Sequence, residues 1–215
     1  MKHDLATKNR VVRPKVSNKK ERLAEIMPVA RRLFAEKGFA QTTFKDVGSQ
    51  LGISHAALYS YFTSKKELYC ACVAQTQNLL FPFVVEALQM QVSLRQRISY
   101  VLLAIAAEHD KDSSITGLLA AVPIEMRRHP ELVEGLLAED NLIMSGLEAL
   151  FDEAKAAGEI KSEACAQDLI AAVLGGGVGV ALFQYGMQSA DLTKTMRVFV
   201  QLLEAELFND AAASE

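Results

Sequence analysis

Between Thr42 and Leu68 the chain reads TTFKDVGSQLGISHAALYSYFTSKKEL, and this stretch limits the possible folds more than any other. It packs three helix starts and one tight turn into a short space. Thr43 precedes Asp46 by three residues, an acidic form of the capping-box spacing, ahead of the apolar positions Phe44, Val47 and Leu51. Gly52 supplies the backbone freedom that a turn between two helices needs. Ser54 is placed to cap the next helix, with Ile53 and Leu58 at the two positions of a hydrophobic staple. Ser64 and Glu67 have the spacing of a capping box for a third helix. Two short helices meeting at Gly52 read as a helix-turn-helix, whose second helix fits a DNA major groove.

At ~100° per residue the second helix sorts into two sides. Leu58 and Phe62, four apart, face the core. Ala56, Ala57 and Ser60 face outward, with His55 and Tyr59 on one flank and Tyr61 on the other. Small outward residues allow the helix backbone close to base edges. Alanine methyls suit thymine methyls, and His55, Tyr59 and Ser60 carry hydrogen-bonding groups. Thr43 and Ser64 mark helix N-termini, where free N–H groups and the helix dipole attract phosphate. Lys45, Lys65 and Lys66 add positive charge at those same ends.

The segment from about Arg22 to Leu68 resembles the DNA-binding domain of TetR-family bacterial transcription regulators. The likeness runs through Leu33-Phe34, Glu36-Lys37-Gly38-Phe39, Thr42-Thr43, Asp46-Val47, Leu51-Gly52-Ile53-Ser54, Leu58-Tyr59, Phe62 and Ser64-Lys65-Lys66-Glu67-Leu68. It covers roughly the first third of the chain, and beyond that it is one of layout. The resemblance implies a dimer on a palindromic double-stranded operator and a small-molecule effector held in the helical body. It also implies that the last two long helices, Ala166–Ser189 and Leu192–Phe208, pair with their copies in a second subunit. DNA contacts are expected from Thr43, Lys45, Ser54, His55, Ala56, Ala57, Tyr59, Ser60, Tyr61 and Lys65. Phe81, Phe83, Met90, Tyr100, His109, Met126, Arg127, Met144, Phe183 and Met187 lie on helices that surround the pocket in relatives. The Met and Phe content suits a mostly apolar effector.

Charge is divided unevenly along the 215 residues. Up to Lys66 there are 14 Lys and Arg against 5 Asp and Glu; beyond it there are 9 against 21. A basic N-terminal unit on an acidic body suits a polyanion partner for the first and repels it from the second. The chain divides as a basic arm expected to be disordered (1–17), a helix-turn-helix domain (18–66) and a ligand-binding and dimerisation domain (67–215). Arg10 and Arg13 on the arm are within reach of a minor groove.

The rest reads as helix throughout, giving an all-α fold of about nine helices. The first helix runs from Ser17 or Asn18 to Lys37, closed by Gly38, and Pro28 should kink it or delay its start. Lys65 to Met90 is one long helix interrupted by Pro82. Leu94–Glu108 and Ile115–Arg128 follow, joined by a polar connector over His109–Ser114, and Pro123 should bend the second or set its start. Glu131–Ala157 reads as one long helix closed by Gly158. Leu169 to Phe183 is an uncharged run holding four glycines, too short for a membrane span, which needs ~20 apolar residues. Its glycines do not satisfy GxGxxG, because Val180 occupies the last position.

Three cysteines, Cys70, Cys72 and Cys165, suit a reducing compartment and read as buried structural thiols. No signal peptide pattern opens the chain, so a cytoplasmic location is expected, without membrane, metal or cofactor. Two other classes compete. A helical interaction module without DNA binding would need only the acidic body, and the basic N-terminal unit argues against it. An enzyme would need a catalytic motif; the chain has no nucleophile elbow, HExxH, Walker loop or carboxylate pair in convincing context, and its four histidines are scattered.

Overall fold

The computed structural model describes residues 16–136, 141–187 and 191–209. Among them are ten helices: α1 (Val16–Gln41), α2 (Phe44–Leu51), α3 (His55–Leu58), α4 (Lys65–Gln89), α5 (Leu94–Lys111), α6 (Ser114–Arg128), α7 (Val133–Leu136), α8 (Asn141–Ala156), α9 (Ala166–Met187) and α10 (Leu192–Leu207). No strand forms among the described residues. An isolated antiparallel bridge joins Ile160 to Phe208. The expected basic arm lies outside the described residues up to Lys15, and with it Arg10 and Arg13.

Two cores hold the helices together. In the first, the apolar stripe of α1 (Ile26, Met27, Ala30, Leu33, Phe34) meets Val47, Leu58, Phe62 and the start of α4. Leu118 of α6 and Leu132 complete it, so the N-terminal unit is packed directly onto the body. The second core draws on α5, α8, α9 and α10, with Leu102, Phe151, Ile170, Met196 and Phe208 buried in it. Such burial is worth about 25 cal/mol per Å² of apolar surface, so long stripes outweigh local irregularities in a helix.

That balance explains the prolines. Pro28, Pro82 and Pro123 all sit inside helices that run through them, and the non-helical backbone within α1 is at Gly38 instead. The late start expected at Pro28 and the break expected at Pro82 are therefore corrected. A mid-helix proline frees the carbonyl four residues earlier. Ala24 and Asn78 hold those positions for Pro28 and Pro82, and both are exposed, where water satisfies the freed oxygen.

Other boundaries moved for packing reasons. The connector expected over His109–Ser114 shrinks to Asp112 and Ser113, because α5 continues to Lys111 and buries His109. The long helix expected over Glu131–Ala157 is instead a 3₁₀ turn (Pro130–Leu132), α7 and α8. The pieces serve different neighbours. Leu132 is fully buried in the first core, and at Gly135 of α7 a Cβ would stand 2.8 Å from the Cys70 sulfur. Gly146 of α8 lies against Leu88, and α8 packs on α9.

The helix α9 is 22 residues long and, like α4, is long and apolar enough by composition to cross a membrane. Here one side of each is buried in a core: Leu169, Ile170 and Val173 of α9, and Leu68, Tyr69 and Val73 of α4. Of the cysteines, Cys72 is buried, Cys70 half-buried and Cys165 exposed, so the last is not a core thiol. Burial pushes the Cys72 thiol up to about 12.

Candidate nucleic-acid interface

The helix-turn-helix is fixed by its caps. The Thr43 amide donates to Asp46 Oδ2 at 2.9 Å, and the Asp46 amide donates to Thr43 Oγ1 at 3.1 Å. Lys37 Nζ adds a 2.9 Å bond to the other Asp46 oxygen. The Thr43 hydroxyl and then Lys37 hold the Asp46 carboxyl at about 2, well below its ordinary 3.8. Thr42, fully buried, places its hydroxyl 3.1 Å from the Leu33 carbonyl and 2.9 Å from that of Gly38, closing α1. Gly52 adopts φ 65° at the end of α2, in the left-handed region where glycine carries no steric penalty.

A second glycine matters as much and had no local signal in the sequence. At Gly48 a Cβ would come within 2.7 Å of the Ile53 carbonyl oxygen and 3.3 Å of the His55 amide. The α2–α3 turn passes too close for any side chain there.

Ser54 caps α3, accepting from the Ala57 amide at 3.2 Å. The regular helix covers only His55–Leu58, shorter than the rod expected through Phe62. Beyond Leu58 the backbone tightens, with Ser60 N–H to Ala57 O at 3.2 Å and Tyr61 N–H to Leu58 O at 2.9 Å. One helical bond remains, from Phe62 N–H to Leu58 O at 3.0 Å. The turn seats Phe62, which is 6% exposed, beside the fully buried Leu58.

The outward edge is open. Ser54, His55, Ala56, Tyr59 and Ser60 are exposed, and Ala57 and Tyr61 are half-buried. Tyr59 is 58% exposed, yet its ring rests on Phe44 with centroids 4.7 Å apart. Ser60 Oγ donates to the Ala57 carbonyl at 2.7 Å, which leaves its lone pairs outward. Thr43 and Lys45 are exposed at the start of α2.

At α4, Ser64 accepts from the Glu67 amide at 3.1 Å, but Glu67 reaches back to Thr63 rather than to Ser64. The expected capping box is thus one residue wider. Hydrogen bonds from the Thr63 hydroxyl and amide hold the Glu67 carboxyl below its ordinary value. Lys65 is engaged within the fold: Nζ donates to the Ala40 carbonyl at 2.9 Å and lies 4.6 Å from the Phe39 ring centre. Lys66 stands 4.0 Å from Glu134. Of these three lysines, Lys45 has no side-chain partner among the described residues.

Polar contacts dock this unit on the body. Arg31, 7% exposed, donates to Ser114 Oγ at 3.0 Å and to Asp112 Oδ2 at 2.6 Å. Two residues earlier, on the last turn of α5, Asp110 accepts from the Leu192 and Thr193 amides at 2.7 and 3.1 Å, at the start of α10. Near the end of α6, Glu125 is 7% exposed with His129 Nε2 3.6 Å away, and the His129 ring meets Phe39.

The residues named for an effector are not brought together. Phe83 and Tyr100 face each other with centroids 6.4 Å apart, and the Tyr100 hydroxyl is bonded to Glu86. Met90 ends α4, and Met126 and Arg127 lie on the last turn of α6. Met144, Phe183 and Met187 are exposed, the last two by 68% and 65%. Phe81 is half-buried on α4. His109 is the member of this set that lines a cavity, a groove of about 720 Å³ between α1, the α5–α6 connector and the end of α9. A second, apolar space of about 40 Å³ lies among α4, α5, α8 and α9, lined by residues such as Leu88, Ile98, Phe151 and Val173, with Arg97 beside it.

A capped helix-turn-helix with an open outer edge, carried on a helical body, defines a helix-turn-helix protein of the all-α class. Residues 26–72 match the family described as bacterial regulatory proteins, tetR family. Residues 26–72 thus carry a DNA-binding domain of the tetR type, and the chain shares its fold with solved transcriptional regulators.

An uncharacterised HTH-type transcriptional regulator, YfiR of Bacillus subtilis, is 43% identical over 58 residues, 26% of this chain and 28% of that protein. The nucleoid occlusion factor SlmA of Mannheimia succiniciproducens is 29% identical over 101 residues, 46% of this chain and 47% of that protein. The chain thus spans about half the length, or less, of these curated relatives. Among solved structures, FadR from Bacillus subtilis in complex with stearoyl-CoA superposes with a TM-score of 0.65 at 19% identity, over 85% of this chain and 98% of that one. The ketosteroid regulator KstR2 of Mycobacterium tuberculosis gives 0.70 at 13% identity, over 94% and 100%.

Proposed function

We propose that this protein is a cytoplasmic transcriptional regulator that binds a palindromic operator as a homodimer and is released by a small, mostly apolar effector. The observation that carries the reading is the open edge Ser54–Ser60, held rigid over the buried Leu58 and Phe62. DNA contacts from Thr43, Lys45, Ser54, His55, Ala56, Ala57, Tyr59, Ser60 and Tyr61 belong to the proposal. Base edges fall to His55, the alanines and Tyr59, and phosphates to Lys45 and the capped helix ends. Lys65 acts chiefly as a tie between α4 and α1.

The partner copy is proposed to cover α9 and α10. These helices leave Val178, Leu182 and Phe183 on one, and Val198 and Leu202 on the other, between 47% and 68% exposed. A contiguous apolar face of this kind is usually covered in an assembly. Two copies would present two α3 edges to successive major grooves.

For the effector, the apolar space among α4, α5, α8 and α9 is the place where an apolar group would part the helices. FadR of Bacillus subtilis was solved with stearoyl-CoA, a ligand with a long apolar chain. The coupling requires that the effector prefer one position of the DNA unit over another.

The direct test is an electrophoretic shift of the full chain with a palindrome from the neighbouring promoter, its single half-site and a scrambled duplex. The palindrome is expected to bind with two chains per duplex and the half-site far more weakly. Equal retardation of the scrambled duplex would remove sequence-specific regulation from the account.

A further inference from the structure

The groove between α1 and the body is separate from the apolar space, and its chemistry is of another kind. Its volume of about 720 Å³ lies in the range of small-molecule sites. Its ionisable lining is predominantly acidic: Glu36, Asp110, Asp112 and Asp191 against Arg32 and Lys111. Lys111 is turned to Glu108 at 2.5 Å, and Asp112 is matched by Arg31 behind it. Glu36 has no side-chain partner among the described residues.

His109 is the second observation. It lines the groove but is 4% exposed. Its Nδ1 is hydrogen-bonded to Thr116 Oγ1, and that oxygen lies 3.4 Å from the Ser113 carbonyl, to which the hydroxyl donates. With the Thr116 hydroxyl turned to that carbonyl, Nδ1 carries the proton and Nε2 is an acceptor without a partner among the described residues. Burial holds the imidazole below its ordinary value, against the pull of Asp110 and Asp112, so it stays neutral. Tyr185 adds a hydroxyl on the same wall. Its ring lies so close to α6 that a Cβ at Gly117 would fall 2.6 Å from it.

We propose that this groove binds an organic ammonium group, with Glu36, His109 Nε2 and the Tyr185 hydroxyl as its acceptors. A bare metal ion is disfavoured, because no three His, Cys, Asp or Glu side chains converge to hold one among the described residues. An ammonium instead offers N–H donors to spaced acceptors and one positive charge to an acidic wall. The ligand would touch α1 through Glu36 and the body through His109 and Tyr185. It would thus bear directly on the docking of the DNA unit, without passing through the apolar core.

Calorimetric titration of the full chain with putrescine tests this, with butanediol as the uncharged match of the same length. Saturable binding of putrescine and none of butanediol is expected. Glu36→Gln should weaken putrescine binding roughly tenfold or more, because it removes the negative charge from a charge-assisted hydrogen bond. Tyr185→Phe should weaken it less, and unaltered melting of both variants without ligand shows that the fold survives. Absence of saturable binding, equal binding of butanediol, or an unchanged affinity in Glu36→Gln would overturn the proposal. The titration contains no DNA, so its failure and a failure of operator binding are read separately.

Discussion

Tyr59 combines the two demands on a recognition residue, exposure and a fixed position. Its ring is open on one side and held by Phe44 on the other. Tyr59→Ala is expected to lower the preference for operator over random duplex by about 1–3 kcal/mol, as loss of a base contact does, measured by competition binding. An equal loss on both duplexes would make it a backbone contact. The lysines separate by their partners. Lys45→Ala should reduce the slope of log affinity against log salt by about one unit, with little change in stability. Lys65→Ala removes a carbonyl bond and a ring contact, and should cost about 1 kcal/mol in a urea unfolding experiment. Asp46 gives a pH prediction with a definite sign. Its folded value of about 2 lies below the ordinary 3.8, so its stabilising contribution is full above 3.8 and fades as pH falls towards 2. Asp46→Asn should flatten that part of the acid unfolding curve; an unchanged curve would show that the cap contributes nothing.

At the scale of elements, what was legible in the sequence was local. Thr43, Ser54 and Ser64 announced their helices because a cap acts within four residues, and Leu58 with Phe62 announced the buried side of α3 by spacing. The tightening after Leu58 was not legible, since it depends on where Phe62 finds its socket. The break between α7 and α8 was hidden for the same reason: Leu132 and Gly135 answer to α4 and α6, not to their own helical pattern. Gly48 looked like an ordinary helix residue until the Ile53 carbonyl stood beside it. The glycines of α9 make a prediction here. A Cβ at Gly175 or Gly179 meets nothing within 4 Å in this chain, whereas at Gly176 it would meet the Phe199 ring at 2.6 Å. Gly175→Ala and Gly179→Ala should therefore stabilise an isolated chain by up to about 1 kcal/mol through helix propensity. If a second copy packs closely there, the same changes weaken dimerisation in sedimentation equilibrium. Stabilisation with unchanged dimerisation would move the interface elsewhere.

For the whole molecule, the sequence divided the chain into a basic and an acidic part but not the joint between them. Arg31, Asp112, Ser114 and Asp110 lie far apart in the chain from the groups they hold. No periodicity marks Arg31 as the buried cation of α1. Arg31 ties the DNA unit to Asp112 and the start of α6, and Asp110 ties the end of α5 to α10, so a displacement of this stretch would be felt at both. The central claim remains that the edge from Ser54 to Ser60 reads duplex DNA. Fluorescence anisotropy of the full chain tests it most directly, with labelled palindromic operator and scrambled duplex over a series of salt concentrations. The account predicts affinity that falls steeply with salt for both duplexes and a preference for the operator that His55→Ala and Tyr59→Ala diminish. No binding to either duplex at low salt, or a preference untouched by both substitutions, would contradict it.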